Sequence, residues 1–164
     1  MGVNVAAMSR GSTTFHINSE QATCAFARTL GTRLQPGDSV LLEGGIGAGK
    51  TFFARQLIQS LLTEPEDVPS PTFTLVQVYD STSGEIWHCD LYRLTDPAQC
   101  IELGLEEAFE SAICLIEWPD RLGSLTPEDA LTIRFSETAQ EDARELSLNW
   151  HGAKWKSRLE GIVG

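Results

Sequence analysis

Gly44, Gly49, Lys50 and Thr51 carry the spacing G-x-x-x-x-G-K-[ST] inside the run Gly44-Gly45-Ile46-Gly47-Ala48-Gly49-Lys50-Thr51. Glycines at these places let a backbone curl until several N–H groups converge on one anion. A helix beginning where the turn ends adds unpaired donors and the positive end of its dipole. The run follows Val40-Leu41-Leu42 and precedes Phe52-Phe53, so a buried strand, a glycine-rich turn and a helix are expected in that order. Lys50 would set its ammonium against the outer phosphates of a nucleotide, and the Thr51 hydroxyl would ligate Mg²⁺. The chemistry expected of the whole segment, Gly45, Ile46, Gly47 and Ala48 included, is the binding of ATP or GTP with Mg²⁺.

Hydrolysis at such a loop also needs an acidic side chain at the end of a neighbouring strand. The chain offers two. Ile113-Cys114-Leu115-Ile116-Glu117 is four apolar residues closed by a carboxylate, the pattern of a Walker B strand with Glu in place of the usual Asp. Glu117 is read either as that Mg²⁺ ligand or as a solvated helix cap before Pro119. Ile86-Trp87-His88-Cys89-Asp90 is less apolar and also ends in an acid. On an extended strand His88, Asp90 and Tyr92 share one face, and Trp87, Cys89 and Leu91 the other. Two accounts fit that alternation. One is a half-buried strand with a solvated polar face. The other makes Asp90 a base or water-orienting group beside the γ-phosphate, supported by His88 and Arg93. The loop Ser70-Pro71-Thr72-Phe73-Thr74 adds threonine hydroxyls that could reach Mg²⁺ or a γ-phosphate as a nucleotide-sensing switch does. Ser-Pro-Thr is also ordinary turn chemistry.

The elements that must position these groups read as alternating strands and helices. Phe15-His16-Ile17 is a short strand. Asn18 and Gln21 form a capping box for a helix through Cys24, Phe26, Ala27 and Leu30 that stops at Gly31. A second helix runs from about Gly49 to Leu62, with Phe53, Leu57, Ile58 and Leu61 on one face. Pro65, Pro69 and Pro71 make 63–72 an irregular loop. Residues 73–79 and 85–91 are β-rich and flank 80–84, a hairpin. Pro97 and Gly104 divide 96–109 into two short helices. Strands follow at 112–116, 131–135 and 145–150, with a closing helix over 155–162. The expected architecture is one α/β domain of P-loop type over 15–164, a parallel or mixed sheet between helices, after a disordered segment 1–14 in which Met8 is an alternative start.

Composition bounds the partners. A chain of 164 residues suits a single domain with a core of its own. Twelve Lys+Arg against 23 Asp+Glu leave a net charge of −11, which opposes loose binding to DNA, RNA or an anionic membrane. Any RNA contact should therefore be local or made through a partner. The four cysteines, Cys24, Cys89, Cys100 and Cys114, form no C-x-x-C pair, and reduced, buried thiols in a cytoplasmic protein are expected. No secretory pattern opens the chain, and Ala6 breaks a myristoylation signal. Lys154, Trp155, Lys156 and Arg158 form a basic aromatic patch, read as a solvated helix face or as a contact for a partner or RNA.

Four blocks taken together carry a resemblance. They are Gly47-Ala48-Gly49-Lys50-Thr51, Ser70-Pro71-Thr72-Phe73-Thr74-Leu75-Val76, His88-Cys89-Asp90-Leu91-Tyr92-Arg93-Leu94 and Leu115-Ile116-Glu117-Trp118-Pro119. In that order the chain resembles the TsaE (formerly YjeE) family of bacterial ATPases. The resemblance spans Gly44 to Pro119 and is specific through H-x-D-x-Y-R and I-E-W-P. It implies a small ATPase needed to make threonylcarbamoyladenosine, the modified adenosine beside the anticodon of tRNAs reading codons that begin with A. It further implies that the protein does not transfer the group itself. Instead it binds the TsaD–TsaB complex, which stimulates its weak Mg²⁺-dependent ATPase, and hydrolysis resets that complex.

Carried across by position, Lys50 and Thr51 serve phosphate and Mg²⁺, and Glu117 is the second Mg²⁺ ligand. Asp90 is catalytic, Thr72 belongs to a switch-like loop, and Trp118 sits by the site with ATP or ADP. The chain departs from the family at Gly45, where an acidic residue is common, and at Ile46, where leucine is. Ser19 is the nearest match to the family's adenine-contacting region. A P-loop small-molecule kinase and a non-catalytic nucleotide-binding module are the rival classes.

Overall fold

The structure, a computed structural model, describes residues 10–72 and 74–162. Apolar runs of β-branched and aromatic residues form β1 (Gly11–Ile17), β2 (Ser39–Glu43), β3 (Val76–Ser81), β4 (Gly84–Asp90), β5 (Ile113–Glu117), β6 (Leu131–Glu137) and β7 (Arg144–Trp150). They join in one sheet of order β1-β7-β6-β2-β5-β4-β3. The centre, β6-β2-β5-β4, is parallel, and β3, β7 and β1 add antiparallel edges. The expected mixed sheet between helices is what forms. Helices α1 (Glu20–Arg33), α2 (Lys50–Leu61) and α5 (Ala153–Leu159) cover one face. The other face carries α3 (Ala98–Glu102), α4 (Leu105–Ser111) and a 3₁₀ segment, Pro119–Leu125, that the sequence reading did not foresee. Among the described residues no helix is long and apolar enough to cross a membrane.

The central strands read as unbroken apolar runs because both their faces are covered. Val40 and Leu42 pack with Phe53, Leu57 and Ile58 of α2, while Leu41 points to the opposite layer with Cys89, Cys114 and Ile116. Parallel pairing brings the carboxyl ends of β2, β5 and β4 to one edge of the sheet. The register sets Leu42 beside Glu117 and Glu117 beside Asp90. Ligands of open α/β sheets bind in the crevice outside those strand ends.

Several local expectations are corrected. Strand β1 begins at Gly11, so the expected disorder of 1–14 fails for its last residues; Met1 to Ser9 lie outside the described residues. Gly11 lies under the Trp150 indole, where a Cβ would come within 2.1 Å of a ring carbon, and pairing with β7 orders the polar stretch after it. Ser19, not Asn18, caps α1, accepting the Ala22 N–H at 3.1 Å. The helix also continues past Gly31 to Arg33. Gly31 faces α2, where a Cβ would meet Leu57 and Leu61 at 3.4 Å, so it serves close helix packing rather than a stop. The hairpin turns on Thr82-Ser83 alone, and its first strand starts at Val76; Phe73 lies outside the described residues.

The basic patch on α5 is neither a solvated face nor an open contact. Trp155 is buried, its indole N–H donating to the Asp129 carbonyl at 2.5 Å. Asp38, 1% exposed, accepts from Arg158 at 2.6 Å and pairs with Lys154 at 3.0 Å. Of the four residues Lys156 alone is exposed. The cysteines are unpaired, with Cys89, Cys100 and Cys114 buried and Cys24 half-buried. Loss of solvent pushes the Cys114 thiol up to about 12 and Cys89 well above its ordinary value.

Candidate functional site

Residues 44–49 form the turn between β2 and α2. Gly44 has φ +144°, and a Cβ there would come within 2.7 Å of the Phe135 carbonyl oxygen; Gly47 and Gly49 are left-handed at +80° and +109°. Gly45 has open space around it, so its departure from the family pattern has no steric cause. The Lys50 ammonium folds back over the turn, donating to the Gly44 and Gly45 carbonyls at 2.5 and 3.0 Å. It also lies 4.1 Å from the centroid of the Trp118 ring. Burial lowers the Lys50 pKa below its ordinary 10.5, and the carboxylates of Glu117 and Asp90 partly oppose that shift.

Glu117 ends β5 and is 2% exposed, so the solvated-cap reading fails. Its Oε1 accepts the Thr51 hydroxyl at 2.7 Å, and its Oε2 lies 2.8 Å from His88 Nε2. Trp118 follows in the left-handed region at φ +59°, which turns the chain out of the sheet directly after the carboxylate. His88 is fully buried and its Nδ1 has no partner among the described residues. Asp90, 6% exposed, accepts the Tyr92 N–H on Oδ1 at 3.1 Å and the Thr72 hydroxyl on Oδ2 at 3.2 Å. The polar face of β4 is thus buried rather than solvated. Thr72 is also 2.8 Å from the Ser70 hydroxyl, which ties the proline-bounded loop to the strand end.

These groups surround a cleft of about 490 Å³ lined by Ile46 to Thr51, Thr72, Asp90, Tyr92, Glu117 and Trp118. Of the site residues expected from the sequence, Ile46 to Thr51, Thr72, Asp90, Glu117 and Trp118 border it, and His88 meets it through Glu117; Gly44 and Gly45 line a cavity of about 670 Å³ with Glu43, Trp118 and Arg134. A hollow of about 210 Å³ flanks the turn toward α1, with Glu20, Thr23, Phe52, Phe135 and Arg144 in its walls. Ser19 caps α1 next to that hollow and does not line it. Arg93 is not brought to the cleft; it borders a neighbouring cavity with Pro97 and Arg121. The arrangement can cradle an anion on backbone N–H groups, neutralise it with Lys50, and offer two hard oxygens, Thr51 Oγ1 and Glu117 Oε1, to a cation. Among the described residues no group of three His, Cys, Asp or Glu side chains could hold a metal unaided. That donor set suits Mg²⁺, which binds through one or two protein oxygens together with substrate phosphates and water.

Tyr92 and Arg144 were not among the expected site residues. Tyr92 stacks on Trp118 with ring centroids 4.8 Å apart, and its place on the His88–Asp90 face was the available signal. Arg144 touches the turn from 96 positions away, and no local pattern marks it.

Residues 17–146 match the family model described as threonylcarbamoyl adenosine biosynthesis protein TsaE. A protein of Rickettsia bellii called tRNA threonylcarbamoyladenosine biosynthesis protein TsaE is 43% identical over 117 residues, 71% of this chain and 81% of its own length. Its namesake in Bacillus subtilis is 34% identical over 148 residues, 89% of this chain and 90% of the relative. The crystal structure of Bacillus subtilis YdiB superposes with a TM-score of 0.75 at 27% identity, covering 93% of this chain and 95% of that one.

Proposed function

The chain belongs to the TsaE family, and we propose that it is a Mg²⁺-dependent ATPase serving the formation of threonylcarbamoyladenosine in tRNA. The observation that carries this reading is the buried pair of carboxylates at the mouth of the phosphate loop. Glu117 is held between Thr51 and His88, and Asp90 between Thr72 and the Tyr92 backbone. Two buried acids with every oxygen partnered and aimed at an anion cradle are costly to fold around, and a nucleotide-hydrolysing site uses them.

In this reading Lys50 leaves the Gly44 and Gly45 carbonyls for the β- and γ-phosphates of ATP. The N–H groups of residues 47–51 take the remaining charge. Mg²⁺, when bound with the nucleotide at Thr51 and Glu117, neutralises charge on the phosphoryl oxygens. Asp90 orients a water for in-line attack on the γ-phosphorus and accepts its proton, leaving ADP and phosphate. Thr72, bonded to Asp90, reports the γ-phosphate to its loop.

An acidic chain of net charge −11 is poorly suited to grip tRNA. By the family resemblance its partners are the TsaD and TsaB proteins, in the cytoplasm, and tRNA is reached through them. Hydrolysis is slow in isolation because the cleft is open and, among the described residues, no arginine lines it. Partner binding completes the site, and hydrolysis resets the assembly. The cavity of about 670 Å³ beside the loop favours a second reading, a kinase whose small acceptor sits there.

The test is steady-state ADP release by the protein alone, with small acceptors, and with purified TsaD–TsaB. Association with and without ATP is measured beside it. Expected are slow release alone, acceleration by the pair, and ATP-strengthened association that Thr72→Ala weakens more than it weakens ATP binding. Acceleration by an acceptor, with neither stimulation by the pair nor nucleotide-sensitive association, would establish the kinase instead.

A further inference from the structure

We propose that Arg144 is a positioning residue of the phosphate loop, clamping the loop's outer carbonyls so that its peptide N–H groups stay aimed at the anion. This rests on the reading of residues 44–51 as the phosphate site. Arg144 is the first residue of β7, paired in register with Ile17 of β1 and Glu137 of β6, so its backbone is anchored on both sides. Its guanidinium reaches across to the turn. Nε donates to the Ala48 carbonyl at 3.0 Å and Nη2 to the Gly47 carbonyl at 3.5 Å. Nη1 donates to the carbonyls of Glu141 and Ala143 at 2.6 and 2.9 Å, which ties the fork to the β6–β7 connection. Four of its five N–H donors are thereby committed to main-chain oxygens.

The geometric consequence follows from the planar trans peptide, in which the carbonyl and the next N–H point in opposite directions. Holding the Ala48 carbonyl outward directs the Gly49 N–H inward; the Ala48 N–H donates to the Gly45 carbonyl at 3.1 Å, and the hold on the Gly47 carbonyl keeps that turn closed. The restraint matters because Gly47 and Gly49 bracket these units. Glycine crosses between backbone wells at little steric cost, so a peptide flip here meets small local resistance. Only a planar fork spans two successive carbonyls while fixed to a third and fourth. A lysine keeps the charge and loses that shape.

The experiment compares wild type, Arg144→Lys and Arg144→Ala for binding of Mg·ATP and of Mg·tripolyphosphate by calorimetry. Thermal melting of the free proteins runs alongside. The clamp predicts that wild type binds both ligands and that both variants weaken both by about the same factor, roughly tenfold, the effect of losing one charge-assisted contact. The Gly49 amide should exchange faster in the variants. Loss of ATP affinity with tripolyphosphate unchanged would mean that Arg144 touches the nucleoside, and it would overturn the clamp. Full rescue by lysine would reduce Arg144 to a point charge and overturn it too. Where Arg144→Ala does not fold, Arg144→Lys carries the test. Wild type binding neither ligand would remove the underlying phosphate-site reading, whereas unchanged variants beside a binding wild type would remove the clamp alone.

Discussion

Replacing Asp90 by Asn separates its proposed chemistry from its structural work. The carboxylate accepts two donors, the Tyr92 N–H at 3.1 Å and the Thr72 hydroxyl at 3.2 Å. An amide keeps one oxygen for the Tyr92 N–H and can turn its NH₂ toward Thr72, whose hydroxyl accepts as readily as it donates. The folding cost is therefore the exchange of charged for neutral hydrogen bonds, about 1–2 kcal/mol. In a chain of this size that corresponds to a melting shift of about 2–8 °C. Chemistry should suffer far more. General-base assistance contributes about 100- to 10,000-fold, or roughly 2.7–5.4 kcal/mol of barrier at 1.36 kcal/mol per decade. ATP affinity should stay within about threefold, because the group acts mainly in the transition state and a nearby negative charge has been removed. The assay is partner-stimulated ADP release at saturating ATP, with Kd by titration and melting by calorimetry. A turnover loss under about tenfold, with folding and binding intact, would refute the base assignment and leave Asp90 as a strut for the Thr72 loop.

Three further outcomes are expected. Glu117→Gln cannot serve both Thr51 and His88 as an acceptor, so the Mg²⁺ concentration for half-maximal turnover should rise by at least about tenfold; an unchanged Mg²⁺ titration counts against its ligand role. Lys50 binds phosphate in its charged form, and burial holds its pKa in the free chain below 10.5, so ATP affinity should be full below that depressed pKa and fall as pH rises through it. Titrations at increasing alkalinity check this limb, and Lys50→Met should flatten it while weakening ATP at least about tenfold. Asp38→Ala takes the carboxylate partner from Arg158 and leaves Lys154 with Asp129, which should cost about 3–5 kcal/mol in denaturant unfolding; a loss under about 1 kcal/mol would show that Arg158 rehydrates freely.

The phosphate loop and the β5 carboxylate were legible because each couples a local pattern to an apolar strand that must be buried. Glu117 ends four consecutive apolar residues, and such a run has nowhere to lie but the sheet centre. The His88–Asp90 strand was ambiguous because alternation does not say what covers the polar face; α2 and the loop holding Thr72 cover it. The Asn18–Gln21 box was one residue out of place, since Asn18 and Ser19 have similar capping chemistry and the phase of packing chooses between them. Gly31 reads as a stop until the neighbouring helix is present. The Lys154–Arg158 patch looked basic because Asp38, which neutralises it, stands more than a hundred positions away. Arg144 was silent for a similar reason.

Strand β2, which launches the phosphate loop, lies at the middle of the sheet, yet β5 and β6 beside it arise some 70 and 90 residues later in the chain. Strand β1, made earliest among the described elements, pairs with β7, made last among the strands. A nascent chain emerging from the ribosome therefore holds the whole glycine-rich motif long before either flank of β2 exists. Non-local pairing of this kind folds slowly and leaves strand edges uncovered meanwhile. On the proposed reading, full affinity for nucleotide is reached only after Arg144 and the strand it opens have been synthesised. Tight ATP binding would then double as a report that translation of the domain is nearly finished, and a chain stalled before β7 should hold nucleotide at least about tenfold more weakly and present β6 as an open edge.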